Sequence, residues 1–152
     1  MDSYRPGLLD RLLGAHPHGN CLSQEQLKES VARDLEILLN TRTALPQQQL
    51  QAYPECAASV FNFGLADFAG LSHSGSEDRQ RICSSVRLAV ERHEPRLSSV
   101  QVTLAERKGA VNRIDIVITG VLRGQGAQEA VSFSAALQPS SLHYSIQRGA
   151  IA

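Results

Sequence analysis

Glu91 and Glu94 are the carboxylates whose spacing best suits acid–base chemistry. A sugar hydrolase needs two carboxyl groups about 5–9 Å apart across the scissile bond, and two residues this close near a helix end can reach that range. No motif with catalytic geometry accompanies them. The plainer reading makes Glu91 a solvated helix charge and Glu94, beside Arg96, an ion-pairing or backbone-binding group. His16 and His18 form an H-x-H pair in a loop, without the further ligands a stable metal site needs. His73 and His143 stand apart from them, and His93 is placed to complement the dipole at a helix end. Cys21, Cys56 and Cys83 form no C-x-x-C pair and lie in no nucleophile motif, so reduced thiols of a cytosolic chain are the simplest reading. The glycines from Gly120 to Gly126 join two strand patterns and open no helix, which argues against a phosphate loop. No cofactor or metal is expected.

Bulk composition narrows the partners. Fifteen basic and fifteen acidic side chains cancel, the basic ones are scattered, and there is no Trp. Neither a nucleic-acid groove nor a base-stacking platform is expected. Met1–Asp10 lacks a basic stretch followed by an apolar run, and no apolar run approaches the ~20 residues that span a bilayer. The expectation is a cytoplasmic chain without direct membrane insertion, folded as a single domain over 1–152.

The elements that must position these residues divide into a helical first half and a strand-rich second half. Leu8, Leu9, Leu12 and Leu13 form a short helical stripe stopped by Gly14 and Pro17. So short a helix must dock on its own domain or on a partner. Residues 16–20 read as a loop, so 1–22 is a short helix plus loop that can serve docking. Ser23 and Gln26 form a capping box for a helix carrying Leu27, Val31, Leu35, Leu38 and Leu39 on one face and ending near Asn40. Glu29 and Arg33 are placed as an i, i+4 pair on its solvated side.

Residues 41–76 hold Pro46, Pro54, Gly64, Gly70 and Gly75, yet also Val60, Phe61, Phe63, Leu65 and Phe68. This predicts an ordered excursion with a short helix around Cys56–Val60 that plugs apolar anchors into the core; such long irregular stretches are often functional. A second long helix is capped by Ser76, buries Ile82, Val86, Ala89 and Val90, and ends before Pro95. Period-two runs then follow: Val100–Leu104, Ile114–Ile118, Val131–Ala135 and Leu142–Ile146. Turns are expected at 107–109, 123–126 and 139–141. The expected class is α+β, with N-terminal helices packed on a mostly antiparallel sheet from the C-terminal half.

Two segments stand out. At Glu94-Pro95-Arg96 a helix breaks into a strand at a fixed proline, with opposite charges on either side. Arg96 can take a partner's carboxylate in a bidentate pair or clamp a group at home. The second is 59–68, whose Asn62 and Asp67 are placed to cap turns.

At these residues the chain resembles the TssE family of small baseplate subunits of bacterial type VI secretion systems. These are relatives of phage-tail baseplate wedge proteins labelled lysozyme-like. Leu8-Leu9-Asp10-Arg11-Leu12 is similar to the family's opening helix, and 30–42 follows its S-V-x-R-D-L-E-x-L-L-N-T-R pattern. Tyr53-Pro54 and 59–65 match its Y-P and S-V-x-N-[YF]-G-[LI] loop, and Glu94-Pro95-Arg96-Leu97 its E-P-R-L signature. Ala66 stands where the family tends to have proline, which should loosen that loop.

The resemblance implies a structural role at the cytoplasmic, membrane-docked baseplate, beside TssF, TssG and TssK. Glu94, Pro95 and Arg96 would be the docking corner for the TssF–TssG helical bundle. Arg42, Phe61, Asn62, Phe63 and Asp67 would be interface or loop anchors. It also implies that the sheet seeds the TssB–TssC contractile sheath by strand addition at a free edge. The lysozyme-like label supplies the rival reading, a peptidoglycan hydrolase using Glu94 or Glu91.

Overall fold

The computed structural model describes residues 4–14, 21–68, 75–106, 114–123, 128–138 and 143–149. The expected loop at 16–20, most of the three expected strand turns and Leu142 lie outside them. Among the described residues the α-helices are α1 (Leu8–Leu12), α2 (Gln24–Asn40), α3 (Gln47–Leu50), α4 (Pro54–Ala57) and α5 (Ser76–His93). They precede β1 (Leu97–Glu106), β2 (Ile114–Leu122), β3 (Glu129–Gln138) and β4 (His143–Arg148). The strands form one antiparallel sheet in the order β1-β2-β3-β4. This is the expected α+β arrangement.

The two long helices form because their apolar residues recur on one face, and the sheet supplies the surface that face needs. Ser23 caps α2 as expected: its Oγ accepts from the Gln26 amide, and Gln26 Oε1 accepts from the Ser23 amide at 2.8 Å. Leu27, Val31, Leu35, Leu38 and Leu39 are buried below it. In α5 the cap falls one residue earlier than expected. Gly75 holds that position and Ser76 is the first helical residue, leaving Glu77 and Asp78 to satisfy the helix start. Ile82, Val86, Ala89 and Val90 are buried.

α5 packs along β1, α2 along β4, and the helices touch each other. Between them and the sheet lie Val100, Ile116, Ile118, Val131, Phe133 and Ala135. Burying each large apolar side chain is worth about 1.5–3 kcal/mol, so this layer dominates the stability. β1 begins earlier than the alternation indicates because a bulge between Ser98 and Gln101, with Ser99 at φ 52°, shifts the register.

Both outer strands meet helix side chains. The Asn40 side chain takes the backbone of Tyr144 on both sides: Tyr144 N donates to Oδ1 at 2.8 Å and Nδ2 donates to the Tyr144 carbonyl at 2.9 Å. Glu36 Oε2 accepts from the Ile146 amide at 2.9 Å. On the far side, Arg79 Nη2 donates to the Leu104 carbonyl at 3.1 Å. The stretch of β4 from Tyr144 to Ile146 is therefore not the bare edge that strand addition calls for.

Of the two surfaces on which α1 was expected to dock, its own domain does not cover the leucine stripe: Leu8 is 71%, Leu12 72% and Leu13 66% exposed, whereas the polar Asp10 is 2% exposed. One further expectation is corrected. In the excursion, Leu65 is buried and Phe63 and Phe68 are partly so, but Val60 and Phe61 are 79% and 73% exposed and plug nothing. Its helix starts at Pro54, where a missing N–H costs nothing. A separate 3-10 turn, Val60–Asn62, follows once Ser59 has taken the Phe61 amide on its side chain. The break at Ser59 replaces the single helix expected over Cys56–Val60.

Candidate docking site

Arg96 leaves α5 just past Pro95 and turns back into the domain. Its Nε and Nη2 donate to the two carboxylate oxygens of Glu94 at 2.6 and 2.5 Å, a bidentate pair. The same Nη2 reaches Asp34 Oδ2 at 2.5 Å, and Nη1 reaches Ser30 Oγ at 2.8 Å. Ser30 and Asp34 sit on α2 at helical i, i+4 spacing, so one helix face supplies both. Arg33 extends the chain of charges: its Nη2 donates to Asp34 Oδ1 at 3.0 Å and to Asp10 Oδ1 at 2.7 Å. Ser30 Oγ donates to Asp10 Oδ2 at 2.7 Å, and the Gly7 amide donates to the same oxygen at 2.9 Å. Three carboxylates and two guanidiniums thus tie α1, α2 and the α5–β1 corner together.

Burial makes this network stiff as well as strong. The Glu94 side chain is 4% exposed, Asp10 1%, and Arg96 and Asp34 19% each. Burial alone would drive Arg96 toward losing its proton, but the hydrogen bond and charge of Glu94, with Asp34, hold its pKa above the ordinary value. Burial likewise opposes the Asp10 charge, and hydrogen bonds from Ser30, Arg33 and Gly7 outweigh it, leaving its pKa below the usual carboxylate value. No buried side-chain polar atom among the described residues lacks a partner.

The geometry shows what the corner is made of. Glu94 and Arg96 face each other and the domain, while Pro95 between them is exposed. α1 lies beside this corner: a side chain added at Gly7 would come within 3.4 Å of Arg96 Nη1. The exposed leucines of α1 therefore begin one residue from the Arg96 guanidinium. Glu91, the other half of the proposed acid pair, is half-exposed and sits 3.9 Å from Arg87. A carboxylate that is sealed from solvent and already accepts three bonds from Arg96, two from its side chain and one from its amide, is poorly placed to protonate a glycosidic oxygen.

The loop anchors partly gather at the same corner. Asn62 is buried; its Nδ2 donates to the Ala57 carbonyl at 2.8 Å and its Oδ1 accepts from Thr43 Oγ1 at 3.3 Å. The Asn62 carbonyl lies 3.1 Å from His93 Nε2, and the Phe63 ring meets the His93 ring edge-on at 5.2 Å. Arg42 closes the end of α2 through the Leu39 carbonyl at 2.8 Å, and its bridge to Leu65 anchors the excursion. Phe61 and Asp67 are exposed. His93 is not the cationic helix-end residue expected: burial, reinforced by Arg92, lowers its pKa against the raising effect of the Asn62 carbonyl.

Arg33 does not pair with Glu29. It turns inward to Asp10 and Asp34, and Glu29 instead lies 3.5 Å from Arg148. Asp10, Ser30, Arg33 and Asp34 are the site residues that sequence reasoning missed. The signal available was the i, i+3, i+4 spacing of Ser30, Arg33 and Asp34, three polar residues beside a leucine face. Among the described residues no cluster of His, Cys, Asp and Glu could hold a metal ion, and no helix is long and apolar enough to cross a membrane.

A family profile described as baseplate wedge protein gp25 matches residues 25–127, more than half of the chain. The match takes in Ser30, Arg33, Asp34, Glu94 and Arg96, and starts after α1. No curated protein and no solved structure gives a significant match.

Proposed function

From the premise that the chain belongs to the family of baseplate wedge protein gp25, we propose that it is a non-catalytic adaptor in the baseplate of a type VI secretion machine. Membership in the family supports a structural role in a baseplate. The finer reading follows the resemblance to TssE: the chain links the TssF–TssG wedge, with TssK adjacent, to the TssB–TssC sheath and helps start sheath assembly. It would work in the cytoplasm, at the membrane-docked baseplate, as one domain over 1–152 whose first 22 residues serve docking.

One observation carries this reading. A buried charge network rigidifies an exposed proline corner, and beside it stands a five-residue helix whose leucines face solvent. A helix this short gains almost nothing alone, and here it is held by Asp10 rather than by its apolar face. A rigid corner next to an unpartnered apolar stripe has the composition of a protein-binding surface. Glu94 and Arg96 then act by bracing that corner, and Pro95 with Leu8 and Leu12 supplies its contact face.

Strand addition to the sheath must contend with the side chains of Glu36 and Asn40 on β4. In this reading those contacts keep the edge from pairing prematurely and give way when the sheath arrives, which fits the need to protect exposed strand edges.

The test is co-purification of a tagged chain from its native host, followed by identification of the captured proteins. Baseplate subunits of the TssF, TssG and TssK type are the expected result. Recovery of the folded chain without any baseplate subunit would contradict the proposal.

A further inference from the structure

A cleft of about 350 Å³ runs between α5 and the 62–66 segment and ends at His93, one residue before Glu94. Arg81, Ser85, Leu88 and Arg92 line it from α5 at i, i+4, i+7 and i+11, so they form one stripe along the helix. Among the described residues, the side chains of Arg81 and Arg92 make no hydrogen bond or ion pair, and both are exposed. This contrasts with Arg33, Arg87, Arg96 and Arg148, each of which has a carboxylate. Glu77 and Asp78 lie one turn before Arg81, and the exposed Asp67 follows Ala66 in the chain. Between the two free arginines Leu88 is 43% exposed.

The opposite wall adds a backbone feature. Leu65 gives its N–H to the Thr41 carbonyl and takes the Thr43 N–H on its own carbonyl, at 2.8 and 3.0 Å. Its neighbours Gly64 and Ala66 line the cleft, and neither has a backbone hydrogen bond among the described residues. Alternate residues of an extended segment direct their polar groups to opposite sides, so those of Ala66 are expected to face away from the Leu65 bridge, on the side of the cleft that Ala66 lines. Gly64 is fixed in place: at φ +124° a Cβ would come 2.7 Å from the Thr41 carbonyl oxygen. The cleft therefore has an unpaired backbone edge on one side and two unpaired guanidiniums with an apolar residue between them on the other.

We infer that this cleft takes an extended acidic segment of a partner protein, its backbone adding to the Gly64–Ala66 edge and its carboxylates meeting Arg81 and Arg92. Three helical turns separate the arginines by about 16 Å, which an extended chain covers in about five residues. The matching segment therefore carries acidic residues about that far apart, with an apolar side chain between them for Leu88. Main-chain pairing supplies affinity and the arginines supply selectivity, the usual division in strand addition. The inference rests on the docking role proposed above and adds a second contact, running along α5 from the Pro95 corner.

Benzoylphenylalanine placed at Leu88, and in a second variant at Pro95, tests it in the full chain co-expressed with the baseplate subunits. Irradiation should cross-link position 88 to a partner segment carrying acidic residues at the stated spacing. Arg81→Glu with Arg92→Glu should abolish that cross-link and leave the one from position 95. Both arginines are exposed and unpaired, so this variant keeps the fold. Cross-linking from 95 but not 88 overturns the inference alone. So does a cross-link from 88 to nucleic acid or to a segment without acidic residues, or one that survives charge reversal. Loss at both positions overturns the docking role as well.

Discussion

Glu94 changes meaning once its neighbours are known. In the sequence it is the best candidate for a catalytic acid; in the fold both of its oxygens accept from Arg96. Removing it leaves a guanidinium buried with half its partners gone, and breaking such a pair costs about 3–5 kcal/mol. Glu94→Ala should therefore lower unfolding free energy by about 3 kcal/mol in urea titrations. Glu91→Ala, which loosens only a solvent-exposed pair with Arg87, should stay within about 0.5 kcal/mol. The pairing of Glu94 with Arg96 was readable because the residues are neighbours in the chain. Asp10 and Asp34 were not, since they reach the corner across 20 residues or more. Arg33 was misassigned in part for the same reason: the local i, i+4 partner Glu29 loses to Asp10, which only tertiary packing brings close, and to Asp34, its neighbour in the chain.

At the scale of elements, periodicity predicted well wherever one face is apolar and the cap is local. The α2 helix, with Ser23 and Gln26 at its start, is the clearest case. The excursion from 41 to 68 failed the same treatment, because Val60 and Phe61 carry the signature of core residues but end in solvent. Its structure is set instead by the Asn62, Arg42 and Leu65 contacts, which have no period. His93 joins that excursion to α5 and gives it a pH dependence. Its folded pKa lies below the ordinary histidine value, so the unfolded chain binds the proton more readily. The contribution to stability is complete above pH ~6.5 and is lost as pH falls toward the folded pKa, at no more than about 1.4 kcal/mol per pH unit. His93→Gln should lose this part of the decline between pH 7.5 and 5, measured by urea unfolding at each pH. The β4 edge offers a second element-scale test. Asn40→Ala removes both bonds to Tyr144 and should speed hydrogen exchange at its amide about tenfold, equivalent to about 1.4 kcal/mol, with the β2 amides unchanged.

For the whole molecule, the α+β class and the order of its parts were legible, because helical and period-two patterns occupy separate halves. What no pattern gave was the inside-out α1, whose buried residue is an aspartate and whose leucines remain outside. That inversion is what a tether to a partner requires: the acid fixes the helix to its own domain, and the apolar face is left for another chain. The docking claim therefore depends on residues whose removal leaves the domain itself intact. Leu8→Asp with Leu12→Asp should shift unfolding free energy by no more than about 0.5 kcal/mol, the usual range for exposed positions. The most direct measurement is the affinity of this folded double variant for a purified TssF–TssG complex, titrated beside the unaltered chain. Central apolar anchors are worth about 2 kcal/mol or more each, so the account predicts binding weaker by at least about a hundredfold. Unchanged affinity in the folded variant would contradict it.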